Sequence, residues 1–337
     1  MNPRVLGAMG DNISKEMYQK RVAYGNGEQE AIEPIVNLVW GGVELLTFMQ
    51  QNQNHLYVFG AGMIGQDLVE TWDWKYTFQG FIDNDKEKQG KSIKGIPIMA
   101  LEELREKKEK AAIIIMNKFY HQEIARQLEK EGIAKEQVFN VGIFYRELNK
   151  AQYFDLEELE IVEGEKFVDC GVLDGETSLN LLEKYGNKIK KIWMFEPDKK
   201  NILKVKNNFK EQNVEYEIIG KGVWSSATTL KFQSLGNGCS GIDGSGEERI
   251  ETISLDEALH GCGPTFIKMD IEGAELEALK GAEMIIRKYQ PKLAISIYHK
   301  LEDIEEIPKL LLEYNSNYKF YIRHYSLMSS ETILYAL

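Results

Sequence analysis

From Leu56 onward, short apolar runs alternate with longer amphipathic stretches, the pattern that a parallel sheet wrapped by helices imposes on a chain. Leu56-Tyr57-Val58-Phe59 reads as a buried strand that runs straight into Gly60-Ala61-Gly62-Met63-Ile64-Gly65 and then a helix to Trp72. Phe78 to Ile82 gives a second strand ending at Asp83. Ala111 to Met116 and Val138 to Val141 are further strands, with a helix over Tyr120 to Lys130 between them. Ahead of this unit, Ile35, Val36, Val39, Val43, Leu46 and Phe48 recur loosely at helical spacing, which predicts an amphipathic helical segment and no chemistry.

The alternation then repeats. Strands are predicted at Lys166–Asp169, Ile192–Phe195, Val214–Ile219, Phe266–Met269 and Leu293–Ile297. Helices are predicted over Glu176–Tyr185, Lys199–Phe209 and Glu272–Lys288. The end differs: Tyr318–His324 and Thr332–Ala336 are two strands joined by a short polar turn, an antiparallel hairpin. Ser234 to Glu248, rich in glycine, reads as a mobile loop beside the site, and Ser254-Leu255-Asp256-Glu257 resembles a capping box.

The expected class is therefore α/β, with two Rossmann-like parallel-sheet domains. The boundaries read as a helical segment over 1–54, a small domain over 55–145, a helical connector over 146–164 and a catalytic domain over 165–337. A chain of 337 residues has room for two cores, since one domain usually takes about 100–200 residues.

Composition narrows the function. An apolar fraction of 43% with 10% aromatics is that of a folded globular protein. A net charge of −12 disfavours nucleic acid as a partner, because such binding leans on clustered Lys and Arg. Cys170, Cys239 and Cys262 are odd in number and far apart, which fits neither a zinc site nor a disulfide framework and suggests a reducing compartment. The apolar segment from Pro34 to Met49 carries Glu44 and falls short of the roughly 20 apolar residues that a bilayer crossing needs. With no secretory signal pattern, a cytoplasmic protein without membrane association is expected.

Parallel sheets bind ligands at the carboxyl ends of their strands, and four such ends carry chemistry here. The first strand of the second unit is followed by Asp169, Gly171, Asp174, Gly175 and Thr177, where glycines admit a ligand and a helix N-terminus follows. The second ends at Glu196, before Pro197, where a carboxylate can accept two ribose hydroxyls without any phosphate-binding pattern. The fourth ends at Asp270 and Glu272, with Glu275 behind them, and the fifth at Tyr298-His299. Asp270, Glu272 and His299 are the equipment for removing a proton from a hydroxyl. A cation on Asp270 and Glu272 would have no clear third ligand, so no metal is expected.

From about Phe167 to its end the sequence resembles the FkbM family of methyltransferases. The resemblance rests on FVDCGVLDGETS, FEPD, the SLDE before FIKMDIEGAELEALKGA, SIYHK, YIRHY and ETILYA. It implies a seven-stranded class I fold, S-adenosylmethionine as methyl donor and usually an oxygen acceptor. Asp169, Gly171, Asp174, Gly175, Thr177, Glu196 and Asp270 are then the cofactor-binding set, and His299, Asp270 and Glu272 the catalytic one. Val172 stands where the family often has alanine. The expected function is O-methylation of a hydroxyl on a sugar or other small polar or glycan acceptor.

In the first unit, Gly60, Gly62, Gly65 and Asp83 match a dinucleotide fingerprint, yet the unit is too short for a second mononucleotide half. It reads either as a second nucleotide or sugar-nucleotide site or as a docking domain, which would make a homo-oligomer. The alternative functions are an NAD(P)- or nucleotide-sugar-binding oxidoreductase, for which no Tyr-x-x-x-Lys pair is present, and a non-catalytic nucleotide-binding protein.

Overall fold

Strands that are covered on both faces must be apolar along their whole length, and β1 (Leu56–Phe59) is buried at every position. The computed structural model describes residues 1–233, 241–242 and 248–337. The chain divides into one unit of Asn26–Ala151 with His324–Ser330, and another of Met1–Gly25, Gln152–Arg323 and Glu331–Leu337.

In the smaller unit β1 is joined by β2 (Phe78–Ile82), β3 (Ser92–Ile93), β4 (Ile96–Met99), β5 (Ala112–Ile115) and β6 (Val138–Asn140), in the order β3-β4-β2-β1-β5-β6. All neighbours pair in parallel except β3 and β4, a hairpin too short for periodicity to reveal. One face buries Tyr57, Phe59, Ile82, Ile113 and Ile115 against Leu101, Leu104, Ile124 and Leu128. The predicted helical segment over Ile35 to Phe48 is two helices, Ile32–Asn37 and Gly42–Gln51. They are separated at Gly41, whose φ of +85° suits glycine. The segment His324–Ser330, most of it predicted as a polar turn after a strand ending at His324, is largely buried in this unit: the Trp72 indole donates to the Leu327 carbonyl at 3.2 Å and the Ser330 hydroxyl to Asp67 at 2.7 Å.

The larger unit is built on β7 (Glu165–Cys170), β8 (Ile189–Phe195) and β9 (Glu215–Ile219). A minor sheet of β10 (Gly222–Val223), β11 (Thr229–Gln233), β12 (Gly241–Ile242) and β13 (Glu248–Ile253) follows, then β14 (Phe266–Met269), β15 (Lys292–Ser296), β16 (Phe320–His324) and β17 (Thr332–Ala336). The main sheet runs β16-β17-β15-β14-β7-β8-β9, with β17 antiparallel to β15. In order of appearance that is sixth, seventh, fifth, fourth, first, second, third, so the direction of strand order reverses between β7 and β14. Ligands bind at the carboxyl end of such a switch point. The expected seven-stranded fold with a terminal hairpin is what the chain forms. Most of the predicted glycine-rich loop, Ser234 to Glu248, lies outside the described residues.

Residues 1–25, grouped by pattern with 26–54, fold with the larger unit. Gly10 N–H donates to the Phe320 carbonyl, Phe320 N–H to the Ala8 carbonyl, and Ile322 N–H to Ser14 Oγ, which covers the open edge of β16. The predicted connector helix stops at Ala151. Beyond it, the carbonyls of Phe154, Glu160 and Ile161 accept from Lys184, Lys292 and Lys188, so these backbone groups find tertiary partners in place of helical ones. The predicted helix Glu272–Lys288 is two, Glu275–Lys280 and Glu283–Tyr289. Between them Gly281 packs so closely on the Trp224 carbonyl that a Cβ would not fit.

Candidate active site

The loop after β7 is shaped by positive φ angles at Gly171 (81°), Leu173 (58°) and Gly175 (91°). A Cβ on Gly171 would run into the Asp270 carbonyl, and one on Gly175 into the Phe209 ring, so only glycine lets β14 and the helix after β8 approach this closely. Two acidic side chains hold the loop. Asp169, fully buried, accepts from Ser178 Oγ at 2.6 Å and from Lys268 Nζ at 3.0 Å. The same ammonium donates to the carbonyls of Gly171 at 2.6 Å and Cys170 at 3.3 Å. Glu196, at the tip of β8, accepts from the N–H groups of Leu173 and Asp198, both at 2.9 Å. Burial pushes its carboxyl above the usual range, against these bonds. Asp174 accepts from Glu176 N–H, and Thr177 lies half-buried in the first turn of the helix Glu176–Tyr185. Asp169 and Glu196 thus set the loop's shape, leaving its backbone and the helix N-terminus as the cradle for a ligand.

Across the switch point, the tips of β14 and β15 gather a second group. Asp270 Oδ2 accepts from the Tyr153 hydroxyl at 2.8 Å. His299 Nε2 lies 3.6 Å from Asp270 Oδ1 and 3.7 Å from Glu272 Oε2, while Nδ1 lies 3.0 Å from Glu275 Oε1. Glu275, fully buried, also accepts from Ile271 N–H at 2.8 Å. The structure therefore brings His299, Asp270 and Glu272 together as a single cluster, with Glu275 as a fourth member. Beside them Glu331 accepts from the Gln152 amide at 2.6 Å and the Tyr298 hydroxyl at 3.3 Å.

Crowded carboxylates shift the ionisable groups. Burial opposes charge on His299, but the three acidic neighbours outweigh it and raise the imidazole to about 10, so it carries a proton at neutral pH. In that form it is not a proton acceptor, which qualifies the base role expected of it. Burial and the repulsion of Asp270, Glu275 and Glu331 push Glu272 up to about 7 against the pull of His299. Asp270 is held below its usual range: burial raises it, but His299, Lys268 and the Tyr153 hydroxyl prevail.

Tyr153 and Glu331 were not found in the sequence. Both, like Leu173 and Glu272, are non-glycine residues with positive φ, and these four are among six such residues in the described chain. Left-handed backbone outside glycine is sparsely populated and gathers at functional sites.

Residues 169–319 match the model of the "Methyltransferase FkbM domain". This segment is an FkbM methyltransferase domain. It spans the glycine loop, Glu196 and the acidic cluster, while Tyr153 and Glu331 lie outside it. Residues 52–139 match a second model, "C2185-like, N-terminal". Among solved structures, the chain is similar to the methyltransferase FkbM from Methylobacillus flagellatus KT, at 19% identity and a TM-score of 0.56, covering 94% of this chain and 100% of that one. At that identity the likeness is one of fold, and it extends over nearly the whole chain. A weaker likeness, at 14% identity and a TM-score of 0.37, covers 57% of this chain and 75% of Aeropyrum pernix fibrillarin, solved with natively bound S-adenosyl-L-methionine. No curated protein matches. Among the described residues, no helix is long and apolar enough to cross a membrane.

In the smaller unit the fingerprint residues also meet. Gly60 has φ +117° and Gly65 packs on the Gly60 carbonyl. No heavy atom outside its chain neighbours lies near a Cβ placed on Gly62. Asp83 accepts from Ala61 N–H at 2.9 Å and pairs with Lys88 at 3.0 Å.

Proposed function

We propose that this FkbM domain transfers a methyl group from S-adenosylmethionine to a hydroxyl on a sugar or other small polar acceptor. One observation carries the reading: the glycine loop faces, across the β7/β14 switch point, a cluster of carboxylates with one imidazole. The loop fits the donor in kind, since Gly171 and Gly175 keep the backbone bare of side chains and the helix behind them offers free N–H groups. Gly171, Asp174, Gly175 and Thr177 line that cradle. Asp169 acts through Lys268 and Ser178, and Glu196 through Leu173 N–H, with Glu196 best placed at a strand tip to receive ribose hydroxyls.

Bound S-adenosylmethionine supplies an electrophilic methyl whose C–S electron pair stays on sulfur as the new O–C bond forms. This chain's residues align the acceptor and take up its hydroxyl proton. Asp270, fixed by Tyr153, and Glu272 are the carboxylates nearest the acceptor side, and His299 orients both from behind. Alignment is the larger contribution, since positioning reactants can supply several kcal/mol of the barrier. Gln152, Tyr298 and Glu331 offer hydrogen-bonding groups for a polyhydroxylated acceptor.

Calorimetric titration with S-adenosylmethionine, repeated with Glu196→Ala, tests the donor. Mass spectrometry after incubation with sugars, glycans and nucleotide sugars then tests the acceptor. Donor binding lost in Glu196→Ala and a methylated hydroxyl support the reading; no binding by the wild type refutes it.

A further inference from the structure

The sequence offers two carboxylates at the tip of β14 and no third ligand, but the fold supplies what the sequence withholds. Asp270, Glu275 and His299 each present a ligand atom within 4.8 Å of the other two. We propose that these three side chains bind a divalent cation of the Mn(II) or Mg(II) class beside the methyl-transfer site.

The hydrogen-bond geometry argues for it. In a purely internal ion cluster, a buried imidazole would aim its N–H groups at the surrounding carboxylates. Here Asp270 Oδ1, Glu275 Oε2 and His299 Nε2 are buried without a hydrogen-bond partner, while Nδ1 lies 3.0 Å from Glu275 Oε1. Glu275 is fully buried and His299 nearly so, so water does not satisfy these atoms in bulk. Buried polar groups left this way are costly, and three on three adjoining residues point to a cation that takes their lone pairs and displaces the imidazole's proton as it binds. Metal ligands behave so: they direct lone pairs, and their remaining atoms are fixed by outer hydrogen bonds. Tyr153 to Asp270 Oδ2 and Ile271 N–H to Glu275 Oε1 are bonds of that kind.

Two carboxylates and one imidazole form a hard, oxygen-rich set with a single borderline nitrogen. Such a set suits Mn(II) or Mg(II), with water or substrate oxygens in the remaining positions, better than a thiolate-seeking ion. The described residues place no cysteine sulfur in the cluster. The cation's role rests on the proposed reaction: an acceptor hydroxyl in an open coordination position would lose its proton more readily and be held in line. Its binding does not rest on that reading.

The test uses the full chain, stripped with a chelator and dialysed. Titration with Mn(II) alone is followed by the electron paramagnetic resonance of free Mn(II), and pulsed measurement of the bound ion looks for coupling to an imidazole nitrogen. The expected result is one tightly held ion per chain with nitrogen coupling. His299→Ala and Glu275→Gln should each weaken binding about tenfold or more. Glu283→Gln, at a half-buried acid paired with Arg287 on a different helix from Glu275, should not. Glutamine at 275 can still accept from Ile271, and the nitrogen coupling is read on the wild type, so a variant that misfolds leaves the test intact. Binding that is weak, multiple and free of nitrogen coupling would mean diffuse attraction to a chain of charge −12 and would overturn the proposal. So would binding by both ligand variants as tight as that of the wild type. S-adenosylmethionine binding by the same cation-free preparation reports separately on the methyltransferase reading.

Discussion

Lys268→Met isolates what holds the glycine loop. The lysine is 2% exposed and Asp169 is fully buried, so the pair is shut away from water. Burial opposes the ammonium's charge, but Asp169 first and Asp270 next outweigh it and raise its pKa. Methionine keeps most of the volume and removes the charge, leaving Asp169 with Ser178 alone, the Gly171 carbonyl without its 2.6 Å donor and the Cys170 carbonyl with only the Asp270 N–H. Breaking a buried pair from one side costs about 3–5 kcal/mol, mostly for the stranded charge. Because a chain of two units need not unfold in a single step, the loss is best read by amide hydrogen exchange of peptides from β7 and β14. Those peptides should exchange faster by two or more powers of ten, while β1 and β5 of the smaller unit stay unchanged. Adding Asp169→Asn removes the stranded charge and should recover a large part of the loss. A single variant costing under about 1 kcal/mol, or a double variant no better than the single, would refute the claim that this pair supports the loop.

Two further outcomes follow from the same geometry. Tyr153→Phe removes the 2.8 Å bond to Asp270 and should lower methyl-transfer kcat by about tenfold, as a hydrogen bond to a charged group contributes about 1.5–3 kcal/mol, while donor affinity by calorimetry changes little. Asp83→Ala should destabilise the smaller unit by about 1–2 kcal/mol at neutral pH. Burial raises the Asp83 carboxyl, but the N–H groups of Asp85 and Ala61 and the Lys88 ammonium lower it on balance, so its contribution is present above the unfolded pKa of about 4 and is lost as pH falls through the lower folded value. Denaturation of wild type and variant should converge only in that acid range, and NAD titration of both would show whether the glycine loop there is a nucleotide site.

What the sequence made legible is what short-range order controls. A strand, its glycine turn and the next helix are consecutive, so Asp169–Gly175, Glu196 and Asp270 could be placed on strand tips from pattern alone. Tyr153 reaches Asp270 across 117 positions, and only the folded sheet brings them together. The helix predicted through Gly281 breaks because of the Trp224 carbonyl, a tertiary neighbour that local spacing does not register. Residues 325–331 looked like a polar turn because their serines dominate the local pattern, while Leu327 and Met328 go into the core. The minor strands β11 and β13 escaped notice because short, half-exposed strands alternate charge and apolar residues too briefly to stand out.

The charge balance of the site leads to one more consequence. Asp270, Glu272 and Glu275 surround one imidazole, Glu331 repels Glu272, and Lys268, which acts on Asp270, is committed to Asp169. Burial and then that excess hold Glu272 at about 7, and the excess holds His299 at about 10 against burial. In the chain stripped of divalent cations, a positive ligand relieves it and a neutral one does not. In the proposed reaction the donor arrives as a sulfonium and leaves as a thioether, so the chain should prefer substrate to by-product. At an effective dielectric of about 20, one unbalanced charge at about 8 Å is worth about 2 kcal/mol, and screening by salt reduces this to about 1 kcal/mol, or about fivefold in affinity. Calorimetry with S-adenosylmethionine and S-adenosylhomocysteine at low and high salt measures the difference directly. The preference should shrink with salt and in Glu272→Gln, which removes one of the negative charges without touching the glycine loop. By-product binding as tight as the donor at low salt, or a preference indifferent to both changes, would mean that the cluster does not face the sulfonium and serves another purpose.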